Sequence, residues 1–403
     1  MKRVLLISQF FFPENFKSTD IAFELSKKGF HVDVLTSIPN YPKGKYYKNY
    51  GVFKNRIQKI DNVKIYRTFQ FARGSSKGNM RLALNYISFA ICSSIWILFY
   101  LLFKKYDSII IHQTSPITQT LPALVYNCFR KTPIYTWVLD LWPEAYLSGA
   151  GEKKGLIYNL LFRYTTFVYK KSTKILISSE AFVSSILEKG DYNHKIIYFP
   201  NWSIDFKNLT SESNLPELPE GFILMFAGNV GVSQDVESIL NLALQFRFED
   251  RVKFVVIGDG SKKKWLDEQI ELSGLGNIVY TLGQFPLEDM PAFYKKADAM
   301  LLTLSGKFND LSLYMPAKLQ SYMSSGKPIL AMINGPSFDL INEVNCGYAV
   351  EAGDYLKMAE IIKRVILPNE ESFAELGNNG RKYYEGNFTK DKCIDNLIEI
   401  ITA

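Results

Sequence analysis

The chain has few of the residues that build disulfide frameworks or zinc sites. Four cysteines stand alone among 403 residues, without a CxxC pair, and there are only three histidines. Neither a disulfide framework nor a zinc site is therefore expected, and the composition suits a reducing cytosol. The apolar run that follows Lys2 and Arg3 is only one strand long and leads into Pro13 without a small-residue cleavage site. We do not expect a signal peptide.

Three ligand-binding motifs are also missing. The GxGxxG order of dinucleotide-binding proteins does not follow the first strand, which leads instead into the bulky segment from Ser8 to Asn15. No GxxxxGK[ST] sequence occurs, so a P-loop is not expected. No Asp-X-Asp pair occurs either, and such paired carboxylates are the usual means of holding a diphosphate through a divalent metal. We expect no metal site and no cofactor.

Charge is divided unevenly between the two halves. Residues 1–200 contain 28 Lys and Arg against 12 Asp and Glu, whereas residues 201–403 contain 19 against 28. A basic half indicates an anionic partner, which nucleic acid, anionic lipid or a lipid diphosphate would satisfy. No nucleic-acid-binding motif occurs, so we expect no nucleic-acid partner.

Short apolar runs alternate with helical stretches along the whole chain, and 47% hydrophobic residues suffice for two cores. This βαβα order predicts an α/β protein with mostly parallel, doubly wound sheets. The polar, proline-containing stretch 208–221 interrupts the alternation and is interpreted as a linker. We therefore predict a Rossmann-like domain over residues 1–205 and a second over residues 206–387, followed by a helix over residues 388–403.

One helix is long enough to cross a membrane. From Leu82 to Phe103 there are 22 residues without a charge, which meets the length rule for a membrane span. A crossing here would separate strands that should share one sheet. We predict instead a helix with a small polar stripe (Asn85, Ser88 and Cys92) that packs on the domain and an apolar face in the lipid interface. A fully buried core helix is the alternative.

Residues 308–331 indicate a phosphate site. Pro316 suits the first turn of a helix, Lys318 follows it, and Gly326 ends the helix before an apolar strand. Backbone N–H groups and one lysine at a helix N-terminus would hold a diphosphate without a metal. Two glycine turns, around Gly228 and Gly258, follow neighbouring strands in the same half, where doubly wound sheets bind ligands.

Several motifs carry a resemblance to a known family. They are Pro13-Glu-Asn-Phe16, Ile38-Pro-Asn-Tyr-Pro-Lys-Gly44, Gln113-Thr-Ser-Pro-Ile117, Asp140-Leu-Trp-Pro-Glu144, Gly228-Asn-Val-Gly231 with Gln234, and Pro316-Ala-Lys318 with Gln320-Ser-Tyr322 and Gly326-Lys-Pro328. Together they resemble the family 4 glycosyltransferases of bacterial capsule and O-antigen assembly, in particular the WbuB-like branch.

The resemblance implies a GT-B fold, in which two Rossmann-like domains face each other across a cleft and the last helix crosses back to the first domain. It also implies a nucleoside-diphosphate sugar in the C-terminal domain, an acceptor on the N-terminal domain, retention of anomeric configuration and no metal. We expect the UDP- or dTDP-sugar to be bound by Gly228, Asn229, Gln234, Gly258, Asp259, Gly260, Gln284, Phe285, Lys318 and Ser321. We expect the acceptor to be bound by Glu14, Asn15, Asn40 and Tyr41.

For catalysis the expected residues are Asp140, Glu144 and Lys318. Asp140 follows a predicted strand and so lies at the carboxyl edge of the sheet, where it could accept the proton of the acceptor hydroxyl, orient that hydroxyl, or cap a following helix. Lys318 would stabilise the departing nucleoside diphosphate. The predicted enzyme transfers a hexosyl or deoxyaminohexosyl group to a polyprenyl-diphosphate-linked saccharide at the cytosolic face of the bacterial plasma membrane.

The chain departs from the wider family at three positions. Where many members carry two glutamates separated by seven residues, this chain carries Leu313 and Ser321, and the arginine common after the first glycine turn is Asn229. Two alternatives stay open: a sugar-nucleotide epimerase of the same fold, which would not need an apolar helix, and a catalytically silent partner subunit of a two-chain glycosyltransferase, which would explain the missing carboxylates.

Overall fold

The computed structural model describes residues 2–74, 79–147, 155–203, 215–308 and 311–403. The chain divides into unit 1, Met1–Phe199 with Ile394–Ala403, and unit 2, Pro200–Cys393. Residues 208–214 of the expected linker, and residues 309 and 310 of the expected phosphate segment, lie outside the described residues.

Unit 1 is built on an eight-stranded sheet in the order β3-β4-β2-β1-β5-β6-β7-β8. Its strands are β1 Arg3–Ile7, β2 His31–Ser37, β3 Ile57–Ile60, β4 Val63–Thr68, β5 Ser108–Gln113, β6 Ile134–Val138, β7 Lys174–Ile177 and β8 Ile196–Tyr198. All neighbouring pairs are parallel except β3 with β4. Every strand of this sheet except β3 coincides with a short apolar run of the sequence.

Helices connect these strands. They are α1 Lys17–Lys27, α2 Asn79–Trp96, α3 Leu121–Arg130, α4 Glu144–Leu147, α5 Leu156–Lys171 and α6 Phe182–Leu187. A π-helical turn over Ile97–Leu101 extends α2. Helix α2 lies between β4 and β5, α3 between β5 and β6, and α5 between β6 and β7. These three crossovers therefore run in the same direction along the sheet. Because such crossovers are right-handed, these three helices cover the same face of the sheet.

The polar stripe of α2 packs on the domain as predicted. Asn85 donates to the carbonyl of Phe71 at 2.5 Å and accepts from Gln9 Nε2 at 2.9 Å, and Ser88 Oγ accepts from the Phe71 amide at 3.0 Å. The opposite side of α2 is exposed, so the alternative of a fully buried core helix is wrong.

Unit 2 contains a six-stranded parallel sheet in the order β11-β10-β9-β12-β13-β14. Its strands are β9 Phe222–Ala227, β10 Val252–Ile257, β11 Val279–Gly283, β12 Ala299–Thr303, β13 Ile329–Met332 and β14 Gly347–Val350. Its helices are α7 Val236–Leu244, α8 Lys263–Leu272, α9 Met290–Lys296, α10 Ala317–Ser325, α11 Pro336–Val344, α12 Tyr355–Ile361 and α13 Glu370–Asn387. Apolar side chains cover both faces of this sheet, which is the two-layer core that parallel strands require.

The last helix, α14 Lys390–Thr402, returns to the first domain as predicted, since the chain from Ile394 onward belongs to unit 1. Lys28 pairs with Asp395 at 2.6 Å, and Lys2 Nζ donates to the carbonyl of Thr402 at 3.2 Å.

Candidate active site

Two glycine turns meet at the carboxyl ends of β9 and β10. Gly228 and Gly258 have φ values of 142° and 139°, a region that favours glycine. A Cβ atom on Gly258 would lie 1.8 Å from the carbonyl oxygen of Gly228. The two turns therefore pack backbone against backbone, which only glycine permits.

Asn229, Gln234 and Asp259 stabilise these turns. Asn229 Nδ2 donates to Gln234 Oε1 at 2.9 Å, and Asp259 Oδ1 accepts from the amide of Gly260 at 2.7 Å. A Cβ on Gly260 would lie 2.4 Å from the carbonyl oxygen of Val230. The structure thus brings together the expected donor-binding residues of both turns, and Asn229 and Asp259 remain exposed.

Lys318 lies against the first of these turns. It is the second residue of α10, and its Cε would be 2.4 Å from a Cβ on Gly228. Its Nζ lies 3.8 Å from the centre of the Phe226 ring. The amine is buried and has no hydrogen-bond partner among the residues that the structure describes. Burial lowers the pKa of Lys318 to about 7.

The three lysines that follow Gly260 all have carboxylate partners. Lys262 lies 3.1 Å from Glu237, and Lys263 lies 2.6 Å from Asp267. Lys264 lies 3.7 Å from Glu268. Each of these charges is already neutralised locally, so an anion near the glycine turns would find Lys318 uncompensated.

The other expected donor-binding residues are Gln284 and Phe285, which follow β11, and Ser321, which lies in α10. Gln284 is exposed after β11. Phe285 packs edge-on against Phe293 with ring centres 4.7 Å apart, so it belongs partly to the core. Ser321 Oγ lies 2.8 Å from Ser203 Oγ within unit 2.

A pocket that the sequence did not predict lies at the carboxyl ends of β12 and β13. Its lining residues are Leu304, Ser305, Gly306, Phe308, Leu311, Ser312, Ile333, Asn334 and Ala352. The backbone of Gly335 packs directly against the backbone of the lining residue Ser312, because a Cβ on Gly335 would lie 1.9 Å from the carbonyl oxygen of Ser312. The available signal was the polar residues that directly follow two buried strands.

In unit 1, the Glu14 carboxylate is buried and engaged by backbone amides. Its buried carboxylate accepts from the amides of Asn40 at 2.7 Å, Tyr41 at 2.6 Å and Phe11 at 3.3 Å. Burial raises the pKa of Glu14 to about 7, although these amides and Arg67 act to lower it. Glu14 therefore holds the loops after β1 and β2 together.

The remaining expected acceptor-binding residues differ in exposure. Asn40 is buried, donates to the carbonyl of Ile38 at 3.0 Å and accepts from the amide of Arg73 at 3.1 Å. Asn15 and Tyr41 are exposed. Only Asn15 and Tyr41 of the four expected residues present their side chains to solvent.

Asp140 lies where it was expected, just after β6. Its Oδ2 accepts from the amide of Ser115 at 2.5 Å, and its carbonyl accepts from Gln113 Nε2 at 2.7 Å. Burial raises the pKa of the Asp140 carboxyl, and the hydrogen bonds from Ser115 oppose that shift. A carboxylate with a raised pKa at a sheet edge is suited to accept a proton.

Glu144 forms hydrogen bonds with a residue of α6 and with a residue that follows α6. Its Oε1 accepts from Ser185 Oγ at 2.6 Å and from Lys189 Nζ at 2.7 Å. The Lys189 side chain is completely buried. This ion pair gives Glu144 a structural role in unit 1.

Residues 210–383 match the family described as "Glycosyl transferases group 1". The chain is 27% identical to "Probable glycosyltransferase WbjE" of Pseudomonas aeruginosa over 68% of this chain and 70% of that protein. It is 23% identical to "Putative colanic acid biosynthesis glycosyl transferase WcaI" of Escherichia coli K12 over 94% of this chain and 93% of that protein.

The fold is similar to that of Alr3699/HepE from Anabaena in complex with UDP. The TM-score is 0.70 at 15% identity, and the likeness covers 100% of both chains. The matched domain and the two relatives make this chain similar to the family 4 glycosyltransferases of polysaccharide biosynthesis, and its fold is the GT-B fold.

Proposed function

We propose that the protein transfers a sugar, with retention of anomeric configuration, from a UDP- or dTDP-sugar to a saccharide linked to polyprenyl diphosphate. The product would enter capsule, O-antigen or another exopolysaccharide. The name of WcaI, which refers to colanic acid biosynthesis, and the UDP complex of HepE support this assignment. Unit 2 would bind the donor and unit 1 the acceptor.

The observation that carries the proposal is the uncompensated amine of Lys318 against Gly228. A buried amine without an anionic partner is costly unless a ligand supplies the charge. The diphosphate of the donor would do so, and the glycine turns leave its oxygens free to approach backbone N–H groups. The donor sugar would extend toward Ser305 and Asn334 in the pocket beside β12 and β13.

In the reaction, the bond between the anomeric carbon and the diphosphate oxygen breaks and negative charge develops on the leaving group. Lys318 would stabilise that charge, which is the role that a preorganised cation performs best. We propose that this cation and the helix terminus replace a divalent metal. Asp140 would accept the proton of the acceptor hydroxyl as the new bond forms.

The exposed side of α2 suits the membrane interface. One helix among the described residues, Met80–Leu101, is long and apolar enough to cross a membrane. Only 33% of its most apolar stretch is buried. The exposed apolar residues here are Met80, Leu84, Ile87, Ile91, Ile95, Leu98, Phe99, Tyr100 and Phe103. Because Asn85 and Ser88 fix the other side of α2 to the domain, we propose that this face lies in the lipid interface without crossing the bilayer.

The neighbouring helices extend the same surface. Phe129 of α3 and Leu156, Leu160 and Phe167 of α5 are exposed on the same face of the sheet. Exposed basic residues at the ends of these helices (Lys105, Lys131 and Lys171) would attract anionic headgroups. We propose peripheral attachment at the inner face of the bacterial plasma membrane.

Thermal unfolding with a panel of sugar nucleotides tests the donor assignment. A nucleotide at 100 times its Kd should stabilise the protein by about 2.7 kcal/mol. The same panel is then incubated with polyprenyl-diphosphate saccharides, and transfer of label to the lipid phase is measured. If no UDP- or dTDP-sugar raises Tm or gives labelled lipid, the proposal is wrong.

A second candidate function, a catalytically silent partner subunit, is favoured by Leu313 and Ser321. Ser321 binds Ser203, and Leu313 offers no carboxylate for the sugar. A silent subunit would bind nucleotide without turnover until a second polypeptide is added. Transfer by the purified chain alone would exclude this candidate.

A further inference from the structure

The loops that follow β2 and β4 in unit 1 are joined backbone to backbone. The Gly74 amide donates to the carbonyl of Gly44 at 2.9 Å, and the amide of Arg73 donates to Asn40 Oδ1 at 3.1 Å. A Cβ on Gly44 would lie 2.2 Å from the Gly74 carbonyl oxygen. Glycine at both positions therefore brings Arg73 beside Tyr41 at a fixed place on the carboxyl edge of the sheet.

Two arginines lie at this junction, and neither has an anionic partner among the described residues. The Arg73 guanidinium carbon is 5.6 Å from the centre of the Tyr41 ring. The Arg81 side chain folds over Gly74, with its Cδ and Nε 2.9 Å from where a Cβ would be. Neither side chain forms a hydrogen bond or ion pair with another residue that the structure describes. By contrast, Arg67 donates to Gln58 and to the carbonyl of Phe12.

This junction lies at the same sheet edge as Asp140. The loops that contain Tyr41 and Arg73 follow β2 and β4, and Asp140 follows β6. These strands run parallel in one sheet, so their carboxyl ends share one edge. Burial raises the pKa of the Tyr86 phenol on α2, which Arg73 acts to lower and Asp140 acts to raise.

The exposed apolar face of α2 begins at this edge. Arg81 is exposed and lies between the exposed Met80 and Leu84 on the helix. A lipid whose chain lies along the apolar face of α2 would place its headgroup beside the two guanidinium groups. Their planar N–H groups match phosphate oxygens in pairs.

We propose that Arg73 and Arg81 bind the diphosphate of the lipid-linked acceptor and so place its saccharide near Asp140. This inference rests on the proposed function. It moves acceptor recognition from Glu14 and Asn40, whose side chains are engaged with the protein, to two arginines near the start of the apolar helix α2.

Vesicle flotation tests the site directly. Phosphatidylcholine vesicles containing a polyprenyl diphosphate are compared with vesicles in which phosphatidylglycerol supplies the same charge. Wild-type protein should partition at least about tenfold more strongly to the diphosphate vesicles, because two linked phosphates can accept charge-assisted hydrogen bonds from both guanidinium groups at once, whereas a phosphatidylglycerol headgroup offers a single phosphodiester. The Arg73→Gln/Arg81→Gln variant should bind both kinds equally.

Lys105→Gln is the matched control. Lys105 is exposed beyond the other end of α2, so its loss should weaken binding to both vesicles and leave their ratio unchanged. The Tm of each variant is measured to establish folding, and UDP should raise the Tm of the double variant as it raises that of the wild type. This nucleotide response separates the acceptor site from the proposed donor site.

Soluble inorganic pyrophosphate distinguishes a lipid from a free diphosphate. Competition only at concentrations far above that of the lipid supports an acceptor headgroup site. The inference is overturned if wild type shows no preference for the diphosphate vesicles, if the double variant keeps that preference, or if pyrophosphate binds as tightly as the lipid. Absence of sugar transfer with the preference intact would instead overturn the proposed function alone.

Discussion

The aliphatic chain of Lys318 lies over Gly228, with its Cε 2.4 Å from where a Cβ on that glycine would be. The lysine therefore cannot take this position beside any residue other than glycine. Its amine ends against the Phe226 ring without an anionic partner among the described residues. Gly228 thus leaves the space in which Lys318 brings its amine to the candidate donor site.

Replacing Lys318 by alanine should lower kcat/KM for sugar transfer. The expected loss of transition-state stabilisation is about 2–4 kcal/mol, the scale for removing one preorganised electrostatic donor. The physical reason is loss of the charge that offsets the departing diphosphate. Steady-state rates measure this. A variant with a rate close to wild type would mean that Lys318 does not act on the leaving group.

Donor binding should depend on pH through Lys318. Its pKa is lowered to about 7 by burial, and a bound diphosphate should raise that pKa. UDP affinity should therefore be highest when the free amine is already protonated, below pH 7, and fall as pH rises from 7 to 9, since binding must then take up a proton. Calorimetry of wild type and Lys318→Ala between pH 7 and 9 measures this. A slope that survives in the alanine variant would have another source.

The burial of Asp140 suggests that Asp140→Asn will remove proton acceptance while the shape of the loop is kept. We expect kcat to fall by about 100-fold or more with UDP affinity unchanged, in the range of general base catalysis. A raised acceptor KM alone would indicate orientation of the acceptor hydroxyl. Lower Tm with normal turnover would indicate a structural cap.

Glu144→Gln should act on stability. Lys189 is fully buried and pairs with Glu144 at 2.7 Å, and loss of one partner of a buried pair costs about 3–5 kcal/mol. Because Glu144 is partly exposed, we expect the free energy of unfolding to fall by about 2–3 kcal/mol. Chemical denaturation measures this. A stable but inactive Glu144→Gln variant, with an active Asp140→Asn variant, would make Glu144 the proton acceptor.

Replacing Phe99 and Phe103 by serine should reduce vesicle binding. Both side chains are mostly exposed in unit 1, so their loss should leave Tm nearly unchanged while about 1.5–3 kcal/mol of lipid burial is lost for each. Flotation and thermal unfolding of the same preparation measure both effects. Unchanged flotation would contradict the lipid assignment of this face.

Lys104 follows the apolar helix but is unsuitable for a vesicle-binding test. It pairs with the buried Asp33 at 2.6 Å and donates to the Tyr66 hydroxyl at 2.5 Å. Replacing it by glutamate would place two carboxylates together in the core. Spacing along the chain could not reveal this partner, which is supplied by a strand 71 residues earlier.

The sequence predicted most of the fold because buried parallel strands are continuous apolar runs, which are recognisable one at a time. The exception, β3, is four residues long, antiparallel and half exposed at the sheet edge. Its Gln58 and Lys59 resemble loop residues. Edge strands of this kind have no pattern that distinguishes them from a turn.

The candidate site was less accessible to sequence reasoning. Glycine turns and Lys318 were identifiable because the strand-to-helix order places them at one sheet edge. The direction of a side chain was not: Glu14 and Asn40 occur in a loop motif that suggests ligand contact, yet they bind backbone groups. Arg73 became a candidate only when the contact between Gly44 and Gly74 placed it beside Tyr41.

The most direct test of the account is calorimetric titration of UDP and dTDP into wild type, Lys318→Ala and Lys264→Ala. Lys264 is exposed and pairs with Glu268, so it controls for the loss of one positive charge from the same unit. We predict measurable binding of UDP or dTDP to wild type and Lys264→Ala, and at least about tenfold weaker binding to Lys318→Ala. Equal affinity of all three proteins, or no binding to wild type, would contradict the assignment of Lys318 to the donor diphosphate.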